Sequence, residues 1–176
     1  MVDINDLIKL LENGDHEKYP FASKKDIEIT EKAIAKTLPS SYKTFLTIFS
    51  NGAYLYLIQE VSAVGAGNKQ VAAIQNIKCL KGEPDETITF REGGETKFKN
   101  LVPFSLDSNG NAWCFITNVN SSIEEYMVIY FDTHGRKGYG KLESFSEWLR
   151  ILIEKQVEVI RTLYDDSVIN DELQLG

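Results

Sequence analysis

The spacing of apolar residues changes from helical to strand-like at Asn51-Gly52, and this constrains the fold more than any other feature of the chain. Ahead of it, Ile4, Leu7, Ile8 and Leu11, and again Tyr42, Phe45, Leu46 and Phe49, recur at i, i+3, i+4 and i+7. That is the spacing of helices with one buried stripe. Behind it, β-branched and aromatic residues gather in short runs divided by Gly, Pro or charged turns, the pattern of strands. Helices first, then hairpin-linked strands, then a closing helix define an α+β domain.

The spacing predicts a helix over 3–13 ending near Gly14, followed by a loop over 15–22. Ser23 is an N-cap for a second helix running to about Lys36, with Asp26 favouring its positive end. Pro39 suits the first turn of a third helix, and Asn51-Gly52 supplies a left-handed stop. Strands are predicted at 53–61, 70–80, 86–92, 97–106, 111–118 and 125–132, with a short last one at 136–142. Asn109-Gly110 between two apolar runs is a hairpin signal. Ser144 and Glu147 form an S-x-x-E capping box opening a long helix that reaches Tyr164 and buries Phe145, Trp148, Leu149 and Leu152. The predicted fold is therefore one α+β domain over 1–176, a largely antiparallel multi-stranded sheet flanked by N-terminal helices and a long C-terminal helix. Residues 165–176 hold four acidic residues, Asp165, Asp166, Asp171 and Glu172, and no basic one, and read as a mobile acidic tail.

A chain of 176 residues suits one domain. At that size roughly 70% of the unfolded surface is hidden, so no metal or disulfide staple is needed. Cys79 and Cys114 fall in strand or strand-like segments and read as buried, reduced thiols. They lack the close spacing of a redox or metal pair. The opening MVDINDLIKLLENG has no basic region before a long apolar run, which argues against a secretory signal. Apolar runs stay far below the roughly 20 residues of a membrane span. A cytoplasmic protein with no membrane partner is expected. Lys and Arg number 19 against 26 Asp and Glu, a net charge of −7. Such a field repels phosphate backbones, excluding nucleic acid as a direct ligand, and attracts basic proteins.

The segments that invite a chemical reading do not sustain one. GAGNKQ at 65–70 matches neither phosphate-loop pattern, since Gln70 stands where a third glycine is needed, and reads as a loop between strands. Asp132 and His134 in FDTHG lie at a strand end, where Asp, Thr and Gly turn the chain. His16 reads as a solvated loop histidine, and two histidines with two distant cysteines make no zinc site. Glu124-Glu125 and Asp165-Asp166 read as solvated pairs, and no G-x-S-x-G elbow occurs. Neither catalytic residues nor a cofactor or metal site is expected.

LPSSYKTFLTIFSNG at 38–52, preceded by Glu31, resembles the "E, then LP-x-x-Y-x-x-F-L, then NG" opening of the SUKH superfamily, in its Smi/Knr-type branch. VPFSLDSNGNAWCF resembles that family's "I/L-P-F" strand, acidic-glycine turn and aromatic strand. VIYFDTHG and SFSEWLRIL are similar to its "V-Y-x-W/F-D-H" strand and closing "S-F-x-E-F-L" helix. The resemblance covers about 23–155 in the right order. Phe131 stands where tryptophan is common and Trp148 where phenylalanine is usual, while 61–97 has no matching motif.

The resemblance implies a SUKH-like fold and a non-catalytic, protein-binding role. Bacterial members are mostly immunity proteins that neutralise a toxin, often a nuclease. Fungal relatives scaffold cell-wall synthesis and signalling proteins. The expected partner is a cognate toxin with a basic surface, the alternative an intracellular scaffold binding a housekeeping protein. Candidate contacts are polar residues on hairpin turns: Asp107, Asn109, Asn111, Glu124 and Glu125.

Overall fold

A computed structural model describes residues 2–122 and 124–164; the acidic tail expected at 165–176 lies outside the described residues. Helix α1 (Ile4–Leu11) is capped by Asp3, whose carboxylate accepts from Asn5 N at 2.9 Å. Helix α2 (Lys24–Ile34) carries a full capping box: Ser23 Oγ accepts from Asp26 N at 3.2 Å, and the Asp26 carboxylate accepts from Ser23 N at 2.8 Å. The loop expected between them contains a two-residue strand, β1 (Glu17–Lys18).

In helix α3 (Ser40–Ile48) Pro39 is the N-cap rather than part of the first turn, and proline offers no side-chain cap. The cap comes from far along the chain: Ser40 N donates to Glu124 O at 3.0 Å, and Ser41 N and Oγ donate to the Glu125 carboxylate at 2.7 and 2.8 Å. A carboxylate there meets both the orphan N–H groups and the positive end of the helix.

The run 53–61, expected as one strand, is a hairpin of β2 (Ala53–Leu55) and β3 (Gln59–Val61). Its turn puts Tyr56 and Leu57 at φ of 50° and 57°, the geometry usually filled by Asn-Gly. The strand expected at 70–80 is a 3₁₀ turn, Ile74–Asn76, with one parallel bridge from Ala73 to Ala63. Its apolar residues Val71, Ala73 and Ile74 are buried all the same. Cys79 is exposed in this stretch, correcting its assignment to a buried strand, whereas Cys114 is buried and its thiol is held far above the usual range by burial.

The remaining strands are β4 (Thr87–Phe90), β5 (Glu95–Lys97), β6 (Leu101–Leu106), β7 (Ala112–Ser122), β8 (Glu125–Asp132) and β9 (Lys137–Leu142). A 3₁₀ turn, Phe98–Asn100, divides β5 from β6 inside the expected 97–106 strand. They form one sheet in the order β5-β4-β9-β8-β7-β6, antiparallel except for the β4 and β9 pair; β1-β2-β3 form a second, small sheet. The large sheet is buried on both faces. Trp113, Phe115, Val128 and Tyr130 join the helices in one core; Ala112, Cys114, Ile116, Ile129 and Phe131 form a second with Ile88 and Phe90. Burial on alternate faces explains why β7 and β8 read as nearly continuous apolar runs.

Helix α4 (Phe145–Lys155) forms half the expected capping box: Ser144 Oγ accepts from Glu147 N at 3.2 Å, while the Glu147 carboxylate pairs with Arg150. The helix does not run to Tyr164. It ends at Gln156, φ 52°, and a separate α5 (Val159–Leu163) follows.

Candidate functional site

The signature residues of 31–52 face inward. Glu31 accepts from Leu38 N at 2.8 Å and pairs with Lys43 at 3.5 Å, tying α2 to α3. The fully buried Tyr42 donates to Ser62 O, and burial holds its phenol well above the ordinary range. Asn51 brackets the backbone of one residue, accepting from Val64 N at 2.9 Å and donating to Val64 O at 3.2 Å. Gly52, at φ +76°, completes the turn into β2. These residues build the scaffold and leave little to offer a ligand.

The chemically suggestive segments are likewise structural. In GAGNKQ, Gly65 N donates to Thr30 Oγ1 at 2.8 Å, and a Cβ on Gly65 would strike Asp26. Asn68 closes the loop by accepting from Gln70 N and Val71 N at 2.9 and 2.7 Å. The Asp132 carboxylate accepts from His134 N and Gly135 N at 2.9 and 3.0 Å, the turn reading of FDTHG. His16 is not a solvated histidine. Its Nδ1 accepts from Tyr56 N at 2.9 Å, which leaves Nε2 to donate to Leu11 O at 2.8 Å. Burial lowers its pKa, in keeping with a neutral ring held between α1 and the β2–β3 turn.

The five candidate contacts divide between two ends of the molecule. Asp107, Asn109 and Asn111 belong to the β6–β7 turn, Glu124 and Glu125 to the β7–β8 turn, with the eleven residues of β7 between. At about 3.3 Å per residue the two groups are roughly 30 Å apart and cannot share one small site. Asn109 and Glu124 are exposed. Asn111 is buried, accepting from Thr133 N at 2.9 Å. Asp107 accepts from Asn109 N, Asn111 N and the Tyr130 hydroxyl. Glu125, only 6% exposed, is the α3 cap; burial pushes its carboxyl up against the pull of Ser41, so the solvated-pair reading fails for it.

A cleft of about 180 Å³ opens where the β2–β3 hairpin, the β6–β7 turn and α5 meet. Tyr54, Ile58 and Glu60 line it from the hairpin, Asp107 from the turn, and Glu158 and Ile160 from α5. Trp113 and Tyr130 of the large sheet also line it, and among the described residues no lysine or arginine does. Two of its lining residues, Tyr54 and Ile58, are exposed large apolar side chains, and Leu57 and Val157, each next in sequence to a lining residue, are exposed as well. Non-glycine residues at positive φ flank it on two sides, Tyr56 and Leu57 on the hairpin and Gln156 before α5. Each such residue costs on the order of 1 kcal/mol, a strain that clusters at functional sites.

Of these residues only Asp107 was a candidate. The signal for the rest was faint: in AYLYLIQEV a glutamine falls on the face that carries Leu55, where a buried strand has an apolar residue. Among the described residues no group of three or more His, Cys, Asp or Glu could hold a metal ion, and no helix is long and apolar enough to cross a membrane.

An α+β domain whose signature residues are spent on its own assembly, with an acidic and apolar cleft at its surface, has the form of a protein-binding module. Comparison with family profiles matches residues 22–151 to the SMI1 / KNR4 family (SUKH-1). The chain belongs to that family, as LPSSYKTFLTIFSNG and SFSEWL led one to expect. Comparison with curated proteins finds no match.

Proposed function

We propose that this protein is an immunity protein, binding a toxin protein with a basic surface and blocking it by occlusion. The observation that carries the reading is the SMI1 / KNR4 (SUKH-1) match over residues 22–151; the resemblance to that family implies a role like that of its bacterial members, mostly immunity proteins. The charge supports it: a net −7 steers the domain toward a cationic partner and speeds encounter, most strongly at low salt. The binding surface belongs to the turns and the cleft, because the family-defining residues are engaged inside the fold.

The test is co-expression with a toxin domain encoded beside this gene, scoring survival and isolating a complex. Rescue of growth with a stoichiometric complex is expected. Cell death despite abundant folded protein removes the immunity reading, and capture of several unrelated housekeeping proteins in its place assigns the domain to scaffolding.

A further inference from the structure

The cleft is more selective than an acidic surface. Across the small sheet Glu17 pairs with Tyr54 and Tyr54 with Glu60, so these three side chains share one face. Glu17 is engaged by the Tyr19 hydroxyl at 3.3 Å, and Glu158 pairs with Arg161 at 3.0 Å. Glu60 has no hydrogen-bond or ion-pair partner for its carboxylate among the described residues, although it is half-buried and its carboxyl is pushed up by burial. Next in sequence, on the opposite face of the strand, Gln59, 5% exposed, donates from Nε2 to Ser105 Oγ at 2.7 Å, while its Oε1 has no partner among the described residues. Buried side-chain acceptors are rarely left open in folded proteins. Of the three buried side-chain atoms in this condition among the described residues, Gln59 Oε1 alone belongs to a residue lining the cleft. An acceptor-rich, cation-free floor under an apolar and aromatic rim has its complement in a donor-only cation carried on an apolar stem.

We propose that the cleft receives an arginine side chain of the partner protein, its guanidinium meeting Glu60 and its stem lying against Ile58 and Ile160. Arginine fits better than lysine. Its planar fork gives a carboxylate two parallel hydrogen bonds, it stacks on rings such as Tyr54, and it loses less hydration on burial. Phosphate groups are disfavoured by Glu60, Asp107 and Glu158 around one small volume. The inference rests on the protein-binding reading above and names the chemistry by which the partner is held.

The test uses the full chain and N-acetyl-arginine amide, with N-acetyl-citrulline amide as its uncharged equal in shape. Saturable NMR shifts at the Trp113 indole and the Gln59 amide are expected with the arginine probe. Citrulline should bind at least about tenfold more weakly, since it lacks the charge that strengthens each hydrogen bond. Glu60→Gln should weaken the arginine probe several-fold, and Ile58→Ser, changing an exposed rim residue, should weaken it as well. Asn109→Ala, outside the cleft, should not. Equal binding of the two probes, shifts confined to other surfaces, or folded Glu60→Gln protein with unchanged affinity overturns the proposal. Co-expression separates the two readings. A toxin domain bound equally by wild type, Glu60→Gln and Ile58→Ser removes the arginine site and leaves immunity standing; a cleft that takes the arginine probe in a chain that captures no toxin does the reverse.

Discussion

The seam between α2, α3 and the 62–65 loop and the cleft beneath the β2–β3 hairpin treat most of their polar groups in opposite ways, Ser62 Oγ being the seam's exception, buried and without a partner among the described residues. At the seam Glu31, Asn51 and Thr30 each meet a backbone or side-chain partner within 3.2 Å. At the cleft Gln59 Oε1 and the Glu60 carboxylate have none among the described residues, and two neighbouring residues stand in left-handed backbone geometry. A polar group satisfied inside the fold specifies the fold; one left open at a concave surface is held in reserve for something else. Substitutions at the two places should therefore fail in different ways.

The largest effect is expected from Tyr42→Ala at the seam. It removes a fully buried ring packed against Phe104, Phe115 and Phe145, and should cost about 3–5 kcal/mol in urea unfolding. Asn51→Ala should follow, at about 1–3 kcal/mol, because it leaves both polar groups of Val64 without their side-chain partner. In both variants partner binding should weaken only as far as the folded fraction falls, so a loss of affinity in fully folded protein would blur the division.

His16 lies between the two regions, tying α1 to the hairpin turn that carries the cleft. Its pKa is lowered on folding, so the unfolded chain binds more protons as pH falls past the ordinary histidine value of 6.5. The contribution is fully present above pH 6.5 and is lost progressively below it, toward the lowered folded value. Unfolding measured from pH 8 to pH 5 should show this slope, and His16→Asn should lack it.

The smallest effect on stability, and the most telling, is expected from Glu60→Gln. Burial raises the Glu60 carboxyl above its ordinary range, so its charge opposes folding at pH 7. The substitution should raise stability at pH 7 by less than about 1 kcal/mol, since the group is only half-buried and screened by solvent. The gain should vanish as pH falls through the ordinary glutamate range. Thermal unfolding at pH 7 and pH 4 checks this, and a clear loss at pH 7 would place Glu60 with the scaffold instead of the site.

The sequence discloses the seam well and the cleft poorly, for a physical reason. Helices α1, α3 and α4 announce themselves by a stripe repeated every three or four residues, and β7 and β8 by apolar runs, because both depend on local periodicity. The β2–β3 turn is built from Tyr56 and Leu57, residues that carry no turn signal, so the sequence pattern runs through it unbroken. At 70–80 apolar content is satisfied by an irregular segment packed on α2, where Gln75 meets Thr30 at 2.7 Å. Glu125 was chosen as an acid beside a turn, and its true partner Ser41 lies 84 residues away. Sites made from three distant segments leave no spacing to recognise.

The parallel pairing of β4 with β9 has a consequence for synthesis of the chain. The β4–β5 hairpin emerges from the ribosome well before β9, yet β9 is the strand that joins it to β8 and thereby to the rest of the sheet. Until residues 137–142 arrive, Ile88 and Phe90 lack the second core they finally share with Ile129 and Phe131. A nascent chain with an open strand edge and uncovered apolar side chains is a substrate for chaperones and for aggregation alike. For this protein the vulnerable interval closes when β9 pairs with β4.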